Sequence, residues 1–104
     1  MIRGTTPTHI FTLPFDAALV ADLRISYAQD LKEILVKTKN DCNIEGNEVS
    51  VKLSQEDTFK FNCRKQVVQI QVRVLTTGGE VLNSDLIILP VEQCLNEEVL
   101  VNET

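Results

Sequence analysis

The fold of this chain is decided by residues 67–91, which read VVQIQVRVLTTGGEVLNSDLIILPV. Apolar residues at even positions from 68 to 74 alternate with Gln69, Gln71 and Arg73. A period of two is typical of a strand with one buried face. Two adjacent glycines, Gly78 and Gly79, then break the pattern and supply the positive φ values of a tight turn. An apolar run follows to residue 91, so the stretch predicts one long β-hairpin.

Shorter patterns predict the remaining elements. Alternating apolar residues indicate strands at 8–13, 22–27 and 48–53. A further strand is predicted at 33–38, and a short strand or extended link begins at Phe59. The polar stretch at 40–47 predicts a bend, and Gln29-Asp30 a turn. Asp16 can cap one helical turn at 16–20. Residues 54–58 predict a capped turn, in which Ser54 and Asp57 can accept backbone N–H bonds. About seven strands separated by turn signals predict an all-β antiparallel sandwich. The alternative is an α+β fold with a genuine helix at 16–23.

Length and charge define the domain organisation. The chain has 104 residues and a net charge of −5, and 43% of its residues are apolar. This length fits one domain with a core that needs neither metal nor disulfide. Residues 92–104 hold four acids and no base, whereas the rest of the chain is nearly neutral. We therefore predict a single sandwich domain at 1–91 and an acidic tail at 92–104. The apolar residues at 99–101 leave a last strand or a docking segment open as alternatives.

Composition also argues against several classes of partner. A neutral or acidic surface does not suit nucleic acid, which needs clustered Lys and Arg. No segment approaches the ~20 apolar residues of a membrane-spanning helix. The N-terminal residues lack the apolar core of a signal peptide. We expect a cytoplasmic protein that binds neither nucleic acid nor membrane.

The sequence offers no catalytic or metal-binding motif. His9 is the only histidine, and it lies in a Thr-rich strand without a nucleophile elbow. Cys42, Cys63 and Cys94 are widely spaced and form no CxxC pair. We predict a non-enzyme with no catalytic residue, no metal and no cofactor, whose cysteines are free thiols.

One segment resembles a known fold family. Residues 53–63, LSQEDTFKFNC, resemble the strand–corner–strand of an immunoglobulin variable domain, where an Asp precedes an aromatic residue and a Cys. Asp57, Phe61 and Cys63 match this pattern, although Phe61 lacks the corner hydroxyl and the chain has no Trp. The resemblance implies that the predicted all-β sandwich of about seven strands is Ig-like.

A second resemblance covers nearly the whole chain. Residues 2–9 (IRGTTPTH), 53–58 (LSQEDT), 68–73 (VQIQVR) and 79–85 (GEVLNSD) resemble a small uncharacterised protein of tailed phages and prophages of Gram-positive bacteria. The chain is also loosely similar to Ig-like N-terminal domains of phage baseplate proteins. This resemblance implies a non-enzymatic virion structural or assembly-associated protein. Its expected partners are other phage structural proteins or further copies of itself, in the host cytoplasm and then in the virion.

The outward face of the long strand is the candidate interface. Gln69, Gln71 and Arg73 share that face, and a polar protein contact and a plain solvated surface are equally open. The alternative function is a ligand-binding β-sandwich, such as a carbohydrate-binding module. That function needs exposed aromatic rings, whereas the four phenylalanines are better explained as core residues; they are Phe11, Phe15, Phe59 and Phe61.

Overall fold

The computed structural model describes residues 1–101 and confirms an all-β antiparallel sandwich. Within that range the eight strands are β1 (Thr8–Thr12), β2 (Val20–Gln29), β3 (Lys32–Thr38), β4 (Cys42–Glu45), β5 (Glu48–Lys52), β6 (Val67–Thr76), β7 (Val81–Asn83) and β8 (Ile87–Pro90). One short helix, α1 (Gln55–Phe59), follows β5 and precedes β6 in the sequence. Three single turns of 3₁₀-helix complete the structure at Ala17–Leu19, Lys39–Asp41 and Cys63–Lys65.

Two antiparallel sheets enclose the core. The smaller sheet has the order β1-β5-β4, and the larger has the order β3-β2-β6 with both β7 and β8 paired to the far side of β6. Alternation buries one face of β2, β5 and β6. Val49 and Val51 of the small sheet are almost fully buried, as are Ile25, Tyr27 and Ile70 of the large one. The opposite face of each sheet is left to solvent.

The predicted hairpin at residues 67–91 is present, with two differences. Its return strand is split into β7 and β8, because Ser84 turns its side chain back to β6 and accepts a hydrogen bond from the Val72 N–H at 2.9 Å. The turn uses a positive φ of +88° at Gly79 only, so the prediction of a positive φ at Gly78 is wrong.

Two local predictions are wrong. The bend expected at 40–47 contains β4, in which Cys42 and Ile44 face inward and pair with β5. The strand or link expected at Phe59 is instead the end of α1, followed by a 3₁₀ turn. The helix of the α+β alternative is also absent, because only Ala17–Leu19 form a helical turn, capped by Asp16, before β2 begins.

The described part of the acidic tail lies against the domain. Glu92 forms a bridge to Ile2, and Arg3 forms an ion pair with Glu97. The side-chain amide of Gln55 donates to the Leu100 carbonyl and accepts from the Leu100 N–H, each at 2.8 Å. No strand forms at 93–101, and residues 102–104 of the predicted tail lie outside the described residues.

Candidate functional site

The three residues predicted as an interface lie together on the outer face of the large sheet. On β6, Gln69, Gln71 and Arg73 alternate with fully buried neighbours. Each stands directly opposite a residue of β2 on the same face, the pairs being Gln69 with Ala28, Gln71 with Ser26 and Arg73 with Arg24. The sheet therefore combines two strands into one continuous polar surface, which we call the outer face.

A shallow depression crosses the outer face. Its volume is about 510 Å³, and its lining combines polar side chains with three exposed apolar ones. The apolar members are Leu31, Val36 and Leu86. They come from the β2–β3 turn, from β3 and from the β7–β8 connection, so the sequence pattern of β6 alone did not indicate them.

Intramolecular hydrogen bonds fix both glutamine amides. Gln69 Oε1 accepts from the backbone N–H of Leu31 at 3.0 Å, and Gln71 Nε2 donates to the Ser84 carbonyl at 3.1 Å. The remaining amide group of each, Gln69 Nε2 and Gln71 Oε1, has no hydrogen-bond partner among residues 1–101. The face thus offers one donor and one acceptor held in place before any partner arrives, which lowers the entropy lost on binding.

The two arginines of the outer face differ in their electrostatic environment. Arg24 donates to the Asp22 carboxylate at 2.7 Å, and this hydrogen bond holds the pKa of Asp22 below its ordinary value of 3.8. Arg73 donates from Nε to the neutral amide oxygen of Asn83 at 2.9 Å and has no ion-pair partner in the described range. Because Arg24 stands directly opposite, like charges face each other across the two strands. Arg73 therefore brings a positive charge that an acidic partner group can neutralise.

The turn beside the depression has an unusual backbone. Asp30 and Leu31 have φ values of +52° and +61°, as a two-residue hairpin turn of type I′ requires. Asp tolerates this region, but Leu seldom occupies it. Leu31 is nevertheless 75% exposed, so burial in the core does not explain why a leucine occupies this position. Strained residues of this kind cluster at binding sites. The sequence pattern predicted the turn at Gln29-Asp30, one residue before its position in the structure.

His9 occupies a separate site between the sheets. Its Nδ1 lies 2.8 Å from the hydroxyl oxygen of the buried Tyr27. Burial lowers the pKa of His9 below 6.5, with a smaller effect from the N-terminal ammonium group, and burial raises the pKa of Tyr27. Cys42 lies in the same row of the small sheet, but Val51 of the central strand separates the two residues. The arrangement supports a structural hydrogen bond and no Cys–His pair.

The other sequence candidates do not form a site. Cys42, Cys63 and Cys94 are free, and residues 1–101 hold no group of three His, Cys, Asp or Glu side chains that could bind a metal. Phe61 is buried, while Phe11 and Phe15 are half-buried and line a cleft between the sheets. No helix in the described range has the length and apolar character needed to cross a membrane.

Comparison with known proteins gives one structural likeness. No protein-family model and no curated protein matches the chain. A solved structure, the V domain of amphioxus IgVJ-C2, superposes with a TM-score of 0.38 and 11% sequence identity. The match covers 88% of this chain and 96% of that domain. At this TM-score and identity the likeness carries no argument about this chain.

Proposed function

We propose that this protein is a non-enzymatic interaction domain that binds a partner protein through its outer face. One observation carries the proposal: the depression brings fixed amide groups, exposed apolar side chains and the unneutralised Arg73 onto one surface. Polar groups with a central apolar contact and an arginine are characteristic of protein interfaces. The domain measures 46 × 38 × 16 Å along its principal axes, so its broad faces can accommodate the roughly 800 Å² per partner of a standard interface.

The charge of Arg73 indicates what the partner presents. A carboxylate facing Arg73 would neutralise a charge that Arg24 repels. The exposed Leu31 would insert into an apolar recess of the partner, where its burial contributes most. The surface is thus suited to a protein with an acidic residue beside an apolar recess.

The resemblance stated above supplies the biological setting of the proposal. It supports a phage or prophage structural or assembly-associated protein, made in the host cytoplasm and bound to other phage structural proteins or to copies of itself. Small proteins with such a role act through surface contacts and need no catalytic group.

A gradient experiment tests the proposed function. Tagged protein is expressed in induced source cells, and the lysate is fractionated on a density gradient and probed for phage particles and tail assemblies. We expect wild-type protein to migrate with the assemblies and Arg73→Glu to remain at the top. Lys52→Glu makes the same charge change on the outer side of the small sheet and serves as the matched control. Migration of the wild type at the top of the gradient, or equal migration of both variants, would refute the proposal.

A further inference from the structure

Strand β1 (Thr8–Thr12) is an open edge of the small sheet. It pairs with β5 on one side, and no strand of the described chain pairs with its other side. Its sequence, THIFT, contains no Lys, Arg, Asp or Glu. Natural sheets usually protect such edges with charges, prolines or covering segments, because an open edge accepts another strand.

The hydrogen-bond pattern shows which groups the edge offers. The Leu13 N–H donates to the Asn47 carbonyl at 2.7 Å, and the Leu53 N–H donates to the Pro7 carbonyl at 2.9 Å. In an antiparallel ladder bonded pairs alternate with unbonded ones. Positions 7 and 13 of this chain are bonded to the residues next to β5, so positions 9 and 11 are bonded to β5 as well. The unbonded residues are Thr8, Ile10 and Thr12, and they direct their N–H and C=O groups away from β5. Three residues of free backbone are available to a pairing strand.

Two edge strands of the large sheet are protected, in contrast with β1. Strand β8 ends in Pro90, which has no N–H, and the Met1 ammonium group donates to the Pro90 carbonyl at 2.6 Å. The N-terminal segment covers the continuation of that edge through the Ile2–Glu92 bridge. Strand β3 carries Lys32 and Lys37. Among the other edge strands, β4 carries Glu45, and β7 is uncharged but only three residues long, so β1 is the longest edge strand without a charge.

An apolar cleft lies beside the open edge. It has a volume of about 390 Å³, runs between β1 and the β7–β8 side of the large sheet, and is lined by no charged residue. Phe11, Leu13 and Phe15 form one wall, and Val72, Leu82 and Ile87 belong to the other. A strand added to β1 would direct alternate side chains into this cleft.

The charge near the Thr12 end of β1 is negative. Glu48 pairs with Thr12 across the small sheet, Asp16 follows Phe15, and Asp85 follows Ser84. All three acids are exposed, and none forms an ion pair in the described range. Lys52, which pairs with Thr8, lies at the other end of the strand. A basic group is therefore attracted to the Thr12 end and an acidic one repelled.

We propose that β1 accepts a strand from a partner protein, an extended segment with alternating apolar residues and with Lys or Arg at the end that meets Thr12. The free backbone groups of β1 supply the hydrogen bonds, the cleft receives the apolar side chains, and the acids near Thr12 select the basic end. This surface is separate from the outer face, so the inference stands or fails independently of the function proposed above.

Peptide binding tests this inference. The probe is a short synthetic peptide in which valine alternates with threonine between pairs of lysines. One control peptide carries glutamates in place of the lysines, and another has N-methylated valines. Affinities are measured by fluorescence anisotropy, and backbone amide NMR shifts locate the site. We expect the lysine peptide to bind at least tenfold more tightly than either control and to shift the amides of Thr8, Ile10 and Thr12.

Variants of the protein make the test specific. Ile10→Pro removes an N–H that β5 does not use, so it should weaken binding at least tenfold while circular dichroism remains unchanged. Ile10→Thr keeps the N–H and should bind within twofold of the wild type. Glu48→Lys should weaken binding of the lysine peptide, whereas Glu56→Lys, at an exposed position on α1, should not. If Ile10→Pro unfolds, the N-methylated peptide and the Glu48 variant show whether the peptide binds at the edge of β1.

Three results would overturn the inference. The first is failure of the lysine peptide to bind, and the second is equal binding of the lysine and glutamate peptides. The third is self-association of the wild-type protein that Ile10→Pro abolishes, because the occupant of the edge would then be a second copy. Arg73→Glu should leave peptide binding unchanged, which separates this surface from the outer face.

Discussion

The carboxylate of Asp57 joins helix α1 to the large sheet, and its removal should be the most destabilising single polar change in the domain. Asp57 Oδ2 accepts from the Ser54 N–H at 3.0 Å, while the Asp57 N–H donates to Ser54 Oγ at 3.0 Å. This reciprocal pair is a capping box. The same Oδ2 lies 2.8 Å from Lys37 Nζ on β3, and the two side chains are only 11% and 17% exposed, respectively.

The expected cost of Asp57→Ala follows from these contacts. Losing the carboxylate of the cap removes about 1 kcal/mol. Stranding a buried charge costs about 3–5 kcal/mol, and the remaining exposure of Lys37 indicates the lower end of that range. We expect the free energy of unfolding to fall by about 4 kcal/mol, and Tm by roughly 15–30 °C. Lys37→Met should cost only about 1 kcal/mol, because the carboxylate keeps its hydrogen bonds to Ser54.

Urea denaturation at pH 7, followed by circular dichroism, measures these differences. A loss below about 1 kcal/mol in Asp57→Ala, or a larger loss in Lys37→Met than in Asp57→Ala, would show that the Asp57 carboxylate does not hold α1 to the large sheet.

Acid titration measures the contribution of the same carboxylate to stability. Burial raises the pKa of Asp57, but the hydrogen bonds from Lys37 and Ser54 together outweigh it and leave the pKa below 3.8. The wild type should therefore lose stability as the pH falls below about 4, and Lys37→Met should lose less.

Three further substitutions test other parts of the structure. Gly4→Ala should cost roughly 2 kcal/mol in thermal unfolding, because Gly4 has a φ of +81° and an added Cβ would lie 2.7 Å from Cζ of Phe59; an unchanged Tm would contradict this contact. Because the folded pKa of His9 is lowered, the unfolded chain binds more protons, so the wild type should lose stability below pH 6.5; His9→Gln should show less pH dependence between pH 7.5 and 5, and equal dependence would show that His9 does not cause it. Leu31→Gly should change the free energy of unfolding by less than about 1 kcal/mol, since relief of strain offsets added chain entropy, yet it should abolish migration with phage assemblies; retained migration would exclude Leu31 from the interface.

The sequence predicted those parts of the fold in which a local pattern determines burial. The alternation in β6 and at Leu23, Ile25 and Tyr27 predicted buried faces because a strand repeats every two residues. Strand β4 was missed because it has only four residues, two of them apolar, and exists through its pairing with β5. Intrinsic preference is weak in such a strand, and tertiary contacts decide its conformation.

The candidate site shows the same limit. Gln69, Gln71 and Arg73 were predicted as one face because they lie on one strand. Leu31 and Leu86 were not, since each is brought to the face by a different loop. The open edge of β1 also required the sheet order, because β1 contains none of the charges or prolines that mark many edge strands in a sequence.

Amide hydrogen exchange on the assembly-bound protein tests directly whether the outer face is the contact surface. Protein that migrates with phage assemblies is compared with the free protein, and the protected residues are mapped onto the fold. We expect added protection at the Asp30-Leu31 turn and along β6 around Gln69 and Arg73, with the outer side of the small sheet around Ser50 unchanged. Protection confined to the small sheet, with no change around Arg73, would contradict it.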